Sequence, residues 1–146
     1  LREAHRVLKP GGRLGFTVWA SPELSVGFGI VYGAIESRGT LQVPLPPGPP
    51  FFRFGDSREA ERVLLEAGFV KPRSRTLSLN WSLSSSEEFF RAFYEGTART
   101  GPTLKAQTPG ARNKIRTAIL ESADRFLNEG TLQIPMVAIL HSCQKP

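Results

Sequence analysis

Arg6-Val7-Leu8-Lys9-Pro10-Gly11-Gly12-Arg13-Leu14-Gly15-Phe16-Thr17-Val18-Trp19-Ala20 holds a helix end, a turn and a strand in one short run. Leu1, Ala4, Val7 and Leu8 fall at helical spacing and form an apolar stripe. Lys9 suits the last turn of a helix, Pro10 cannot continue it, and Gly11-Gly12 supplies a turn. In Arg13 to Ala20 both alternating sets, Leu14/Phe16/Val18 and Gly15/Thr17/Trp19, are apolar or small, which predicts a strand covered on both faces. No Ser, Thr, Asp or Asn precedes Leu1 to cap the first turn, so the sequence reads as a fragment that opens inside a helix.

Further along, residues 21–52 read as a lid-like insertion with a helix over 22–37. A connector follows at Pro44-Leu45-Pro46-Pro47-Gly48-Pro49-Pro50, whose fixed dihedrals and missing donors favour extension. Asp56 with Glu59 forms a capping-box pattern ahead of Ala60, Val63, Leu64 and Ala67, and Gly68 closes that helix. Leu77, Leu79, Trp81 and Leu83 alternate with polar residues, which predicts a strand over 75–83 with one buried face. Residues 85–130 read as a two-helix insertion. Its first helix is capped by Ser85 and carries Phe89, Phe90 and Phe93; its second starts at Thr108-Pro109 and carries Ile115, Ala118, Ile119, Ser122, Phe126 and Leu127. Thr131 to Cys143 reads as a last strand in which Pro135 predicts an edge position or a bulge.

Composition narrows the function classes. The formal charge of +6 suggests a polyanion partner only if the cations lie on one stripe, and here Arg58, Glu59, Glu61, Arg62 and Glu66 interleave signs along one stretch, and Arg112, Lys114, Arg116, Glu121, Asp124 and Arg125 along another. Such patterns predict solvated helix faces and at most weak, salt-sensitive binding of nucleic acid. Cys143 is the only cysteine, which excludes an intrachain disulfide and a thiolate metal cluster and fits a reducing, cytoplasmic setting. No apolar run approaches the roughly 20 residues of a membrane-spanning helix.

Leu1 to Leu14, with its Arg-Val-Leu-Lys-Pro-Gly-Gly core, resembles the segment of class I S-adenosylmethionine-dependent methyltransferases that leads into the fifth strand of their sheet. Leu64-Leu65-Glu66-Ala67-Gly68-Phe69 is similar to the end of the helix that follows, where the chain turns into the sixth strand, and residues 131–145 fit the last, antiparallel strand. The resemblance implies an α/β fold, the carboxy-terminal part of a Rossmann-like sheet holding strands five, six and seven. It implies S-adenosylmethionine as the cofactor of the parent enzyme and a small-molecule methyl acceptor. The family's glycine-rich loop, its ribose-binding carboxylate and its adenine contacts belong to strands one to four, so no cofactor-binding residue carries over and the chain alone is expected to be inactive. The expected strand order puts 131–143 between 13–20 and 75–83, with 13–20 the buried member, its other side an open edge prone to self-association.

Methyl transfer from a sulfonium needs position and a dry cavity more than a protein nucleophile, so it leaves little local signature. The aromatic residues Trp19, Tyr32, Phe54 and Phe93 are the candidate substrate contacts, since aromatic walls suit an apolar acceptor. Trp19 and Tyr32 lead, each having a polar handle; phenylalanines at helical spacing, such as Phe89/Phe93, are more often core. Gly27-Phe28-Gly29-Ile30-Val31-Tyr32-Gly33 imitates a dinucleotide-binding loop but lacks a strand running into its first glycine, so close helix packing or lid mobility explains it better. His5 and His141 have no ligand-spaced partners, which argues against a metal site, and His5 reads as a solvated helix-surface residue. No catalytic triad assembles from this sequence. Two further function classes stand beside the methyltransferase fragment: a truncated, non-catalytic domain that pairs through its sheet edge, and a basic nucleic-acid-binding module.

Overall fold

The computed structural model describes residues 1–146 and is mixed α/β. Helix α1 (Arg2–Val7) leads to strand β1 (Arg13–Trp19); then come α2 (Val26–Arg38), a 3-10 turn at Arg53–Gly55, α3 (Ser57–Glu66) and β2 (Val70–Leu83). Helices α4 (Ser86–Gly96), α5 (Thr100–Lys105) and α6 (Pro109–Asp124) follow, with strands β3 (Leu127–Asn128) and β4 (Thr131–Gln144) last. The chain divides into two compact units, one made of 1–21, 52–79 and 137–146, the other of 22–51 and 80–136.

In the first unit the sheet order is β1-β4-β2. β4 runs antiparallel to β1 in a continuous register from Arg13 opposite Gln144 to Trp19 opposite Ala138. α1 and α3 cover one face of this sheet: Leu64, Phe69 and Cys143 are buried there, with Leu1, Ala4, Leu8, Leu14 and Phe16 packed around them. The local chemistry follows the sequence. Asp56 caps α3 by accepting from the Arg58 N–H at 2.9 Å. Gly68, at φ 93°, closes α3 with bonds from its own N–H to the Leu65 carbonyl and from the Phe69 N–H to that of Leu64, a Schellman end whose flanking Leu64 and Phe69 meet in the core. At the other end of the chain, the Lys145 ammonium donates to the carbonyls of His5 and Leu8 at 2.8 Å each and caps the end of α1.

The second unit is mainly helical. α6 packs on α2 and α4, and α5 packs on α4. Phe28, Phe89, Phe93, Ile115, Ile119, Leu132, Ile134 and Met136 are buried in its core. Ser85 caps α4 by accepting from the Glu88 N–H, and Thr108 caps α6 by accepting from the Ala111 N–H.

Several expectations need correction. β1 is not the buried strand: its residues alternate between exposed and half-buried, because β4 lies on one side only and one face is uncovered. The buried strand is β4, which has neighbours on both sides. Pro135 therefore does not mark an edge strand. It falls between the segment that pairs with β3 (131–132) and the one that pairs with β1 (138–144), so its missing donor lies outside both of those ladders. β2 starts at Val70, and Leu79 is 44% exposed, so its apolar set does not form one buried face. Residues 85–130 hold three helices rather than two. α5 forms despite Gly101 and Pro102 because the Thr97 hydroxyl donates to the Phe93 carbonyl at 2.6 Å and accepts from the Gly101 N–H at 2.7 Å, which carries the chain from α4 into the next turn.

The glycine run of 27–33 lies inside α2, as the packing reading expects. A Cβ on Gly27 would collide with the Met136 sulfur and crowd Ile134, while Gly33 faces open space. Substituting Gly27→Val should accordingly lower unfolding free energy by about 1–3 kcal/mol through overpacking, read from urea denaturation; Gly33→Ala should leave it unchanged or raise it slightly.

Candidate functional site

Strand β1 sets the first side chain. Alternation along the strand turns Phe16 toward the helices and Trp19 toward the opposite, uncovered face. There Trp19 joins Thr17, Val18, Leu77, Leu79 and Ala138 around an open cavity of about 240 Å³. Its walls are mostly apolar, and Ala138, directly opposite Trp19 in the register, leaves the room that a larger residue would fill. The cavity can hold a small apolar or aromatic group and offers it an indole face.

Phe54 lies elsewhere. Its ring packs edge-on against Phe16, 6.1 Å between centroids, on the helix-covered side of the sheet. The turn that carries it is fixed by charge: the Arg53 guanidinium donates twice to Glu59, at 2.9 and 2.6 Å, and lies 5.5 Å from the Phe54 ring. Arg62 and Arg53 hold the Glu59 carboxyl down at about 2, so this clamp persists until strongly acid pH. The Phe54 carbonyl accepts from His141 Nε2 at 2.7 Å.

His141 is fully buried, and both ring nitrogens are used. A carbonyl can only accept, so Nε2 carries the proton, and in the neutral ring Nδ1 accepts from the Ser74 hydroxyl at 2.8 Å. This histidine therefore ties β4 to β2 and to the Arg53–Gly55 turn, and both its nitrogens are committed to those bonds. Sequence periodicity places it on β4 and cannot reveal either partner, which lie 67 and 87 positions away. His5, expected on a solvated helix surface, is half-buried: its ring stands edge-on to Phe69 at 5.0 Å, and Nε2 is buried without a hydrogen bond. The cause is Gly68, which lacks a side chain and lets the imidazole lie over the α3 turn.

Tyr32 and Phe93 belong to the second unit. Tyr32 is half-buried on α2, its hydroxyl 3.5 Å from that of Thr100. Phe93 is fully buried, with its ring 5.2 Å from Phe28, 5.1 Å from Phe89 and 5.6 Å from Trp81, so it forms the centre of an aromatic core. Of the sequence-derived candidates, Trp19 lines the apolar cavity, and the Leu77–Leu79 segment is the partner that the sequence did not assign to it. No three or more His, Cys, Asp or Glu side chains group as metal ligands, and no helix is long and apolar enough to cross a membrane.

Comparison with known proteins finds no matching family model and no matching curated protein. Among solved structures, the chain is similar to a protein of Bacillus halodurans C-125 provisionally described as a methyltransferase, with 19% identity and a TM-score of 0.43 over 99% of this chain. The chain spans 61% of that protein's length.

His141→Phe keeps an aromatic ring of similar size and removes both hydrogen bonds, leaving the Phe54 carbonyl and the Ser74 hydroxyl without these partners. It should destabilise the chain by about 1–3 kcal/mol in chemical denaturation. Loss of that size would identify His141 as a structural tie, whereas unchanged stability would contradict it.

Proposed function

We propose that this chain is the carboxy-terminal part of a class I S-adenosylmethionine-dependent methyltransferase acting on a small-molecule acceptor. In this reading β1, β2 and β4 are the fifth, sixth and seventh strands of the parent sheet. The supporting observation is a coincidence of motif and topology: Arg6-Val7-Leu8-Lys9-Pro10-Gly11-Gly12 leads into β1, and the antiparallel last strand lies between β1 and β2. Trp19, on the apolar cavity at the end of β1, is the first candidate for acceptor contact, because open α/β sheets bind ligands at the carboxy ends of their strands. Tyr32 is the second, through its half-buried hydroxyl. Phe54 and Phe93 act in this reading as supports, one under the Arg53–Gly55 turn and the other in the helical core.

Residues 1–146 do not fit the cofactor. The glycine run that resembles a phosphate-cradling loop is helical, and the space at Gly27 is taken by Met136 and Ile134. The methyl donor would be supplied from the parent's other strands, and the residues here contribute the acceptor's apolar wall and the end of the sheet.

A second reading is a truncated, non-catalytic domain that pairs with another chain, favoured by one observation: β1 has a strand neighbour on one side only. The test that separates the two is a calorimetric titration. Residues 1–146 should give no saturable heat with S-adenosylmethionine, while a chain extended by the coding sequence upstream of Leu1 should bind it with a dissociation constant on the order of micromolar. Saturable micromolar binding by residues 1–146 would contradict the assignment, as would an extended chain that neither binds the cofactor nor carries a Gly-x-Gly-x-Gly loop.

A further inference from the structure

The same uncovered sheet face has a second, chemically different cavity. About 410 Å³ in volume, it is lined by Arg13, Lys71, Arg73, Ser142, Cys143 and Gln144. It contains three cations and no carboxylate. The cations come from the beginnings of β1 and β2: Lys71 and Arg73 open a basic stretch of β2, and the strand order brings Arg13 of β1 to the same cavity.

No carboxylate in the cavity wall balances any of the three. Arg6, Arg53, Arg62 and Arg116 each pair with a glutamate, whereas Arg13, Lys71 and Arg73 make no ion pair and no side-chain hydrogen bond. Three like charges around one cavity repel each other and create a local positive potential that a multivalent anion relieves. The Ser142 hydroxyl, which also has no protein partner, adds a neutral donor on the central strand.

The backbone gives an independent sign. Lys71 has φ 53°, a left-handed conformation that ordinary side chains avoid, and it precedes Pro72, which restricts it further. Lysine has no local hydrogen bond with which to favour that conformation, and glycine would adopt it freely. Strained backbone of this kind concentrates at ligand-binding positions, and here it places a cation at the cavity wall.

We propose that this cavity is a binding site for a phosphorylated small molecule with at least two negative charges, such as an organic diphosphate. Guanidinium forks match phosphate oxygens in two-point geometry, and two arginines with one lysine suit a compact di- or trianion. The volume lies in the range of small-molecule sites. A nucleic acid would need a longer track of cations, and beyond the cavity β2 adds only Arg75 before Leu77 and Leu79 turn apolar. The site stands apart from the apolar cavity at Trp19 and is independent of the methyltransferase reading.

The test is calorimetric titration of the chain with inorganic pyrophosphate at about 0.15 M salt. We expect saturable binding with a dissociation constant below about 1 mM, weakened roughly tenfold by Arg73→Gln and by Lys71→Gly. Lys71→Gly removes the charge and the backbone strain together, so it should melt no lower than the parent while binding less tightly. Absence of saturable heat up to about 10 mM pyrophosphate would overturn the proposal. So would unchanged affinity in both variants, or a mixed-sequence DNA duplex binding more tightly than pyrophosphate in an anisotropy titration at the same salt.

Discussion

The antiparallel pairing of β1 with β4 is the contact on which the first unit depends. It joins Arg13–Trp19 to Ala138–Gln144 across more than a hundred intervening positions, and its register decides which side chains meet α1 and α3 and which face outward. Slipping β1 by one residue against β4 would turn Leu14 and Phe16 away from the helices and bring Arg13 toward the apolar core. Contacts at both ends hold the register. The Gly11 N–H donates to the Lys145 carbonyl and the Lys145 N–H to the Gly12 carbonyl at one end, and the Ala20 N–H donates to the Val137 carbonyl at the other. The Gly11-Gly12 turn thus both ends the α1 segment and starts the ladder.

One face of that sheet is a packed core, and the other presents two cavities of opposite character. The division follows from period-two alternation. Toward the helices β1 sends Leu14, Phe16 and Val18, and outward it sends Arg13, Gly15, Thr17 and Trp19. β4 adds small residues, Ala138 and Ser142, to the outward face and leaves room above it. Trp19, Leu77 and Leu79 make one part apolar, while Arg13, Lys71 and Arg73 make another cationic. These features come from the sheet's own residues and set what each cavity can bind.

Much of the local structure was legible in the sequence, because it rests on interactions within a few residues. The Pro10-Gly11-Gly12 turn, the Asp56 cap, the Gly68 turn and the Thr108-Pro109 start all read correctly, although α1 ends at Val7, short of the Lys9 expected in its last turn, and the order β1-β4-β2 followed from the resemblance. What depended on distant partners did not. Apolar residues on both faces of β1 suggested full burial, but burial requires neighbours, and β1 has one strand beside it. His141 looked like any residue of an apolar strand until Ser74 and Phe54 met its two nitrogens. The charge pattern hid the cationic cavity because Arg13 and Lys71 are separated by the whole of α2 and α3. Among the aromatic candidates, composition alone could not distinguish Trp19 on a cavity from Phe93 in a core.

β4 is the central strand, and β1 is paired along one side only. Hydrogen–deuterium exchange, at a concentration low enough to keep the chain monomeric, tests this most directly. Amides of residues 138–144 should exchange slowest in the first unit, while in β1 only those amides bonded to β4 should be protected and the alternate, outward ones should exchange quickly. Uniform protection of every amide from Arg13 to Trp19, equal to that of β4, would contradict the account.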